Sequence, residues 1–163
     1  MQKITPFLWF NNNAEEAVNF YTSVFKNSKI VEIKRYPEGM DDPHVKDMGG
    51  KVLTAVFELD GREFMAMDAG PSFKFTEAIS MMVDCKDQEE VDYFWDKLTA
   101  DGGKESQCGW LKDKYGLSWQ ITPRALPKLI SDPDQEKAGR VMQAMMGMKK
   151  IVVADLERAY NAG

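Results

Sequence analysis

The strongest constraint on the fold is an internal repeat. Asn13 and Glu16 stand at the spacing of a capping box, and Ala14, Ala17, Val18, Tyr21, Val24 and Phe25 follow at helical intervals. Asp87 and Glu90 repeat the cap spacing, and Val91, Phe94, Trp95 and Leu98 repeat the stripe before Gly102-Gly103 stops it. Aligning the two helices sets Val18-Asn19-Phe20-Tyr21 on Val91-Asp92-Tyr93-Phe94. A short apolar segment suited to a strand precedes each helix, Ile4 to Phe10 and Ile79 to Val83. Three more follow the first helix: Ile30 to Tyr36, Val52 to Leu59 and Glu63 to Asp68, the last two joined by the hairpin dipeptide Asp60-Gly61. Lys104 to Gln107, Trp110 to Lys112 and Leu117 to Pro123 follow the second, with Asp113-Lys114-Tyr115-Gly116 as the turn. The pattern predicts an α+β chain of paired βαβββ modules, the first over 2–70 and the second over 78–123. Each sheet then has one face covered by its own helix and another that must close against something else.

Residues 124–163 lie outside the repeat and read as helical. Asp132-Pro133 supplies an N-cap and a proline at the first helical position, and Ala138, Val141, Met142, Met145 and Met146 form a stripe read as packing material. A short final helix is expected around Leu156, Ala159 and Tyr160. The whole chain of 163 residues, 44% hydrophobic and 29% charged, is expected to form a single domain that needs no disulfide.

Charge and composition exclude several functions. A net charge of −5 with scattered basic residues argues against nucleic acid as a partner. No apolar run is long enough to span a membrane, and Met1 to Pro6 lacks the features of a leader, so a cytoplasmic protein with reduced Cys85 and Cys108 is expected. The single histidine, His44, precludes a metal site built from several imidazoles of one chain.

The segments Ile4-Thr5-Pro6-Phe7-Leu8-Trp9-Phe10, Asn13-Ala14-Glu15-Glu16-Ala17 and Phe20-Tyr21 resemble the opening of the PhnB-like proteins, also known as the 3-demethylubiquinone-9 3-methyltransferase domain family. Phe57-Glu58-Leu59-Asp60-Gly61, Cys108-Gly109-Trp110-Leu111-Lys112-Asp113 and Gly116-Leu117-Ser118-Trp119-Gln120 extend the likeness. That family is similar to the vicinal oxygen chelate superfamily of glyoxalase I, bleomycin- and fosfomycin-resistance proteins and extradiol dioxygenases. The resemblance implies cupped sheets, a homodimer, and a divalent metal held by His, Glu or Gln from the first and last strand of each module. Counting along the chain places those four positions at Pro6, Ala66, Ala78 and Gln120, three of which carry no donor, so no metal and no other cofactor is expected. Methyl transfer is unsupported too: Asn11-Asn12-Asn13 stands where a glycine-rich turn would hold the methyl donor.

In phase with those positions, Leu8, Phe64, Asp68, Ser80, Met82, Ser118, Gln120 and Thr122 are expected to line a small-molecule pocket flanked by Trp110. An inward Gln120 needs a partner: a water, a ligand oxygen, Asp68 or Ser80. Alternatively these residues only fill the cup, or Asp68 caps the turn into Ala69-Gly70-Pro71. His44 sits in a polar loop with Asp41, Asp42 and Asp47, read as solvated, and nothing near Cys108 activates its thiol. Three functions follow: a metal-free protein that binds a small, partly apolar molecule, a metal-dependent lyase, transferase or dioxygenase, or a dimeric interaction module with a packed cup.

Overall fold

The computed structural model describes residues 2–163; Met1, the first residue of the segment read for a leader, lies outside the described residues. The chain divides into two compact units, Met1–Lys74 and Phe75–Gly163, and each contains one of the expected modules.

In the first unit, β1 (Phe7–Phe10), α1 (Ala14–Val24), β2 (Lys29–Arg35), β3 (Val52–Leu59) and β4 (Arg62–Asp68) form a four-stranded sheet of order β1-β4-β3-β2. β1 runs parallel to β4 and the other pairs are antiparallel. Asp60 and Gly61, at φ 48° and 74°, both adopt the left-handed conformation of a type I′ turn, which matches the twist of the hairpin and fixes Leu59 opposite Arg62. Ala14, Ala17, Val18, Tyr21 and Val24 of α1 are buried. They form the core with Leu8, Phe10, Ala55, Phe57, Leu59 and Ala66. Ile4 precedes β1 and is exposed, so the first strand starts later than expected.

The capping box expected at Asn13 does not form, because the Asn13 side chain makes no capping bond. Asp68, at the far end of β4 and only 3% exposed, does the work instead. Its Oδ1 accepts from Ala14 N at 2.9 Å and its Oδ2 from Val52 N at 3.2 Å. The carboxylate thereby satisfies an orphan helix donor and opposes the positive end of the α1 dipole. The Tyr36 hydroxyl donates to the Asp68 carbonyl at 2.9 Å, and burial followed by the Asp68 charge pushes the phenol above its ordinary pKa.

The second unit repeats the topology. β5 (Ser80–Cys85), α2 (Gln88–Thr99), β6 (Lys104–Glu105), β7 (Trp110–Lys112) and β8 (Ser118–Pro123) give the order β5-β8-β7-β6, with β5 parallel to β8. Here the predicted cap forms: Asp87 Oδ1 accepts from Glu90 N at 3.0 Å, while Glu90 Oε2 reaches back to Lys86 N at 2.8 Å. Val91, Trp95 and Leu98 of α2 are buried, as are Leu111, Trp119 and Ile121 of the sheet. Asp113 organises the β7–β8 turn, accepting from Tyr115 N and Leu117 N through Oδ1 and from the Trp119 indole through Oδ2. β6 ends at Glu105 rather than Gln107, and Ile79 lies outside β5 and is exposed.

Three helices follow, α3 (Ala125–Ile130), α4 (Gln135–Met146) and α5 (Val153–Asn161), around Leu126, Val141, Ile151 and Leu156. The cap of α4 is Asp134, whose Oδ1 accepts from Glu136 N and Lys137 N; Asp132 instead accepts from Asp134 N and Tyr160 OH. The methionine stripe packs only in part, since Met145 is half-buried against the cluster while Met142 and Met146 are 47% and 65% exposed. The tail is tied to β7 through a left-handed pair, Cys108 (φ 58°) and Gly109 (φ 82°), whose amides donate to Met148 O and Lys149 O, each at 2.8 Å. A Cβ at position 109 would lie 2.9 Å from Ile121 O and 3.0 Å from Ile151 Cγ1, so only glycine fits there.

Candidate functional site

Register assigns each sheet residue a face. In the first sheet, Leu8 pairs with Ala66, Ala66 with Ala55, and Phe64 with Phe57, whose ring stacks on Phe64 at 5.6 Å. Leu8, Ala55, Phe57 and Ala66 are buried, so this is the α1 side of the sheet. Leu8, Phe64 and Asp68, expected in the pocket, therefore lie in the helix-facing layer, and Asp68 is committed to backbone amides. For Leu8 the expected phase fails because the count from Phe20-Tyr21 back to β1 crosses the Asn11–Asn13 turn, where Asn12 takes φ 64° and the periodicity breaks; for Phe64 and Asp68 it fails because Ala66, counted from the hairpin after Gly61, pairs with Ala55 on the α1 side. A slip of one residue exchanges the two faces of a strand. The helix-free face carries Phe7, Trp9, Met65 and Met67 instead. Trp9 donates its indole N–H to Gly70 O at 2.9 Å and meets Phe73 edge-on at 4.9 Å. Only the opposite strand phase would have found these residues.

In the second sheet, Leu111 pairs with Trp119, and Val83 with Ile121. Buried Leu111, Trp119 and Ile121 mark the α2 side. The other face receives Ser80 opposite Ser118, Met82 opposite Gln120, Trp110 opposite Gln120 and Lys112 opposite Ser118, with Thr122 two residues beyond Gln120. All the expected residues of module two thus share one helix-free face. Gln120 Nε2 donates to Ser80 Oγ at 2.8 Å, so of the partners expected for the amide Ser80 is the one present. Met82 is 65% exposed. Ser118 is 1% exposed, and its Oγ meets no hydrogen-bond partner among the described residues.

Beside this row lies a groove of about 220 Å³ lined by Glu77, Lys104, Glu105, Trp110, Lys112 and Ser118, among others. Lys112 Nζ forms an ion pair with Glu77, and that hydrogen-bonded ammonium holds the Glu77 carboxyl below the usual carboxylate range. Glu105 is engaged elsewhere, accepting from the Trp95 indole at 2.9 Å and facing Lys149 Nζ at 3.9 Å. Sequence reasoning missed Glu77, Lys104 and Lys112, because charges in a loop or on strands of two or three residues read as ordinary solvated surface.

The residues do not fit a divalent metal. Among the described residues no group of three or more His, Cys, Asp and Glu is placed to hold one. With the corrected phase, β1 and β4 offer phenylalanine, tryptophan, methionine and a single carboxylate, Glu63, and β8 offers one neutral amide. His44 is exposed in the loop between β2 and β3, where its amide donates to Asp42 Oδ1 at 2.8 Å. Burial, reinforced by Glu90, Asp84 and Asp87, pushes the Cys85 thiol up to about 12, which leaves it a poor nucleophile.

Two βαβββ sheets of the same strand order define an α+β fold of the vicinal oxygen chelate, glyoxalase-like type. Residues 2–122 match the family described as 3-demethylubiquinone-9 3-methyltransferase, and the chain belongs to that PhnB-like family. It is 43% identical to the PhnB protein from Bacillus cereus, with a TM-score of 0.66 over 75% of this chain and 99% of that one. A Pseudomonas aeruginosa protein shares the fold at 20% identity and TM-score 0.62, covering 76% and 98% of the two chains. The fosfomycin resistance protein from Listeria monocytogenes shares it at 14% identity and TM-score 0.51, covering 78% and 94%. Over 168 residues the chain is also 25% identical to a protein named "Probable DNA ligase" from Kineococcus radiotolerans; the match covers 92% of this chain but 33% of that curated relative's length. Among the described residues no helix is long and apolar enough to cross a membrane.

Proposed function

We propose that the chain binds a small, partly apolar molecule on the helix-free face of its second sheet, without a resident metal. The observation that carries this reading is the set of side chains presented there: Ser80, Ser118, Gln120 and Thr122 from two adjacent strands, with the Trp110 ring and the exposed Met82 alongside. Apolar walls with a few positioned polar groups are what small-molecule sites use for affinity and orientation. Hydrogen-bonding to Ser80 holds the Gln120 amide in one orientation and leaves its carbonyl oxygen to accept from a ligand. The methyl-transfer chemistry in the family's description finds no counterpart in the Asn11–Asn13 turn, so binding, rather than group transfer, is the activity proposed.

A homodimer is part of the same reading, supported by the exposed apolar side chains Phe7, Ile79 and Met82, and the unpaired Cys85 and Cys108 are consistent with a reducing, cytoplasmic setting. Titration with benzyl alcohol and benzamide, followed by amide NMR shifts, tests the site. Shifts centred on Met82, Trp110 and Gln120 that vanish in Gln120→Leu are expected. Shifts confined to other regions would overturn the assignment, and light scattering of a compact monomer at micromolar concentration would remove the dimer.

A further inference from the structure

We propose that the groove beside this face is the seat for the anionic end of the ligand, a small organic carboxylate, and that Glu77 is its built-in competitor. The inference rests on the binding reading above and adds the ligand's charge. Its basis is a row across three strands: Lys104 stands directly opposite Lys112, and Lys112 directly opposite Ser118. Two ammonium groups in register repel each other, an arrangement that a bound anion would relieve. The groove's acidic residues do not relieve it equally. Glu105 is already engaged by Trp95 and Lys149, which leaves Glu77 on the segment before β5 as the carboxylate paired with Lys112.

The second, independent observation is the Ser118 hydroxyl. It lies in the same groove, buried and without a partner among the described residues. Buried hydroxyls are normally hydrogen-bonded, so an unpartnered one in the lining of a charged groove marks the place where a ligand oxygen accepts. A carboxylate in this seat accepts from Lys112 Nζ and Ser118 Oγ together, while the body of the ligand lies along Trp110. Glu77 is well exposed on its side chain and its pair with Lys112 is a surface pair, so an incoming carboxylate displaces it at low cost. At about 220 Å³ the groove is smaller than a drug-sized pocket, which favours a ligand of benzoate size.

Benzoate and its neutral counterpart benzamide, titrated into the full chain at low salt with NMR readout, provide the test. Benzoate is expected to bind more tightly, with shifts at Lys112 and Ser118. Glu77→Gln should tighten benzoate roughly two- to fivefold, the value of a surface pair, and leave benzamide unchanged. Lys112→Met should weaken benzoate about tenfold or more and Ser118→Ala about fivefold. Equal affinity for the two probes, unaltered by Glu77→Gln, would overturn the anionic seat while leaving the binding face in place. Shifts from neither probe at Trp110, Ser118 or Gln120 would overturn both.

Discussion

Ser118→Ala is expected to stabilise the ligand-free protein. The side chain is 1% exposed and its oxygen meets no partner among the described residues, so folding strips the hydroxyl of water and returns nothing. An unsatisfied buried polar group costs about 1–3 kcal/mol, and alanine removes it with the loss of a single heavy atom, too small a void to offset the gain. Urea denaturation of the full chain should show a higher midpoint at unchanged slope, with a net gain of about 1 kcal/mol once the lost packing is subtracted. Ser80→Ala is the contrasting variant. Ser80 Oγ accepts from Gln120 Nε2 at 2.8 Å, so its removal leaves the amide short of a partner and should cost about 1 kcal/mol. A lower midpoint for Ser118→Ala would show that the hydroxyl is satisfied in solution and would refute the reasoning, and with it the main support for Ser118 as a ligand contact. The two changes lie opposite each other on β5 and β8, so the double variant also tells whether their effects add.

Four further outcomes are expected. Asp68→Ala leaves the amides of Ala14 and Val52 buried without acceptors and should cost about 2–4 kcal/mol by urea denaturation, whereas Asn13→Ala, which removes no capping bond, should change stability by less than about 0.5 kcal/mol. Asp113→Ala removes three acceptor contacts in the β7–β8 turn and should destabilise the second unit, seen as lost amide-exchange protection at Leu117 and Trp119. Glu15, Asp92 and Asp132 are held below their ordinary carboxyl values, by Arg35, by Lys150, and by the Asp134 amide with Tyr160. Their stabilisation is therefore present above the unfolded values of 4.5 and 3.8 and is lost as pH falls through the depressed folded values, so the urea midpoint should decline in acid and decline less in Asp92→Asn. A maleimide should label Cys108 in the native chain and reach Cys85, which is buried with its thiol pushed up to about 12, only on unfolding.

The repeat was legible because it rests on local signals. The cap spacing at Asp87, the helical stripe through Trp95 and the Asp60-Gly61 hairpin each act within a few residues, and each forms as its chemistry requires. Strand phase was legible in the second sheet and not in the first. On β8 the turn at Asp113 and the pairing with β5 set Ser118, Gln120 and Thr122 on one face, and the alternation follows. On β1 the phase had to be carried across Asn11–Asn13, and a turn of irregular backbone conformation does not conserve phase; on β4 the local Asp60-Gly61 hairpin sets the pairing but not which face meets α1, so Phe64 and Asp68 were expected on the wrong side. The capping of α1 was illegible for a different reason. Asn13 has the right chemistry and position, but Asp68 outcompetes it from 54 residues away, and no local pattern encodes a contact delivered by sheet register. The charged groove was missed because lysines on short strands, Lys104 on the two-residue edge strand β6 and Lys112 at the end of three-residue β7, look like any solvated surface until register sets Lys104 against Lys112 and Lys112 against Ser118.

The two modules share a topology but have separated in chemistry. The centre of the helix-free face of the first presents Phe7, Trp9, Met65 and Met67, with the Trp9 indole N–H donated to Gly70 and the carboxylates of Glu58 and Glu63 at the hairpin end, so that centre offers burial and little direction. The corresponding face of the second presents Ser80, Ser118, Gln120 and Thr122 beside two lysines, groups whose hydrogen bonds and charge are directional. Duplicated sheets that both needed to hold a shared metal would retain donors on both copies. Here the first face has its carboxylates, Glu58 and Glu63, only at the hairpin end beside Asp60-Gly61, with Glu58 paired to Lys29, and apolar side chains fill its centre. Replacing Met65 with Gln should therefore cost stability without creating a metal site, whereas replacing Gln120 with Leu should cost ligand affinity and leave stability within about 1 kcal/mol. Urea midpoints and probe affinities for the two variants separate these outcomes, and a ligand-binding loss in Met65→Gln equal to that in Gln120→Leu would show that the first face contributes specificity after all.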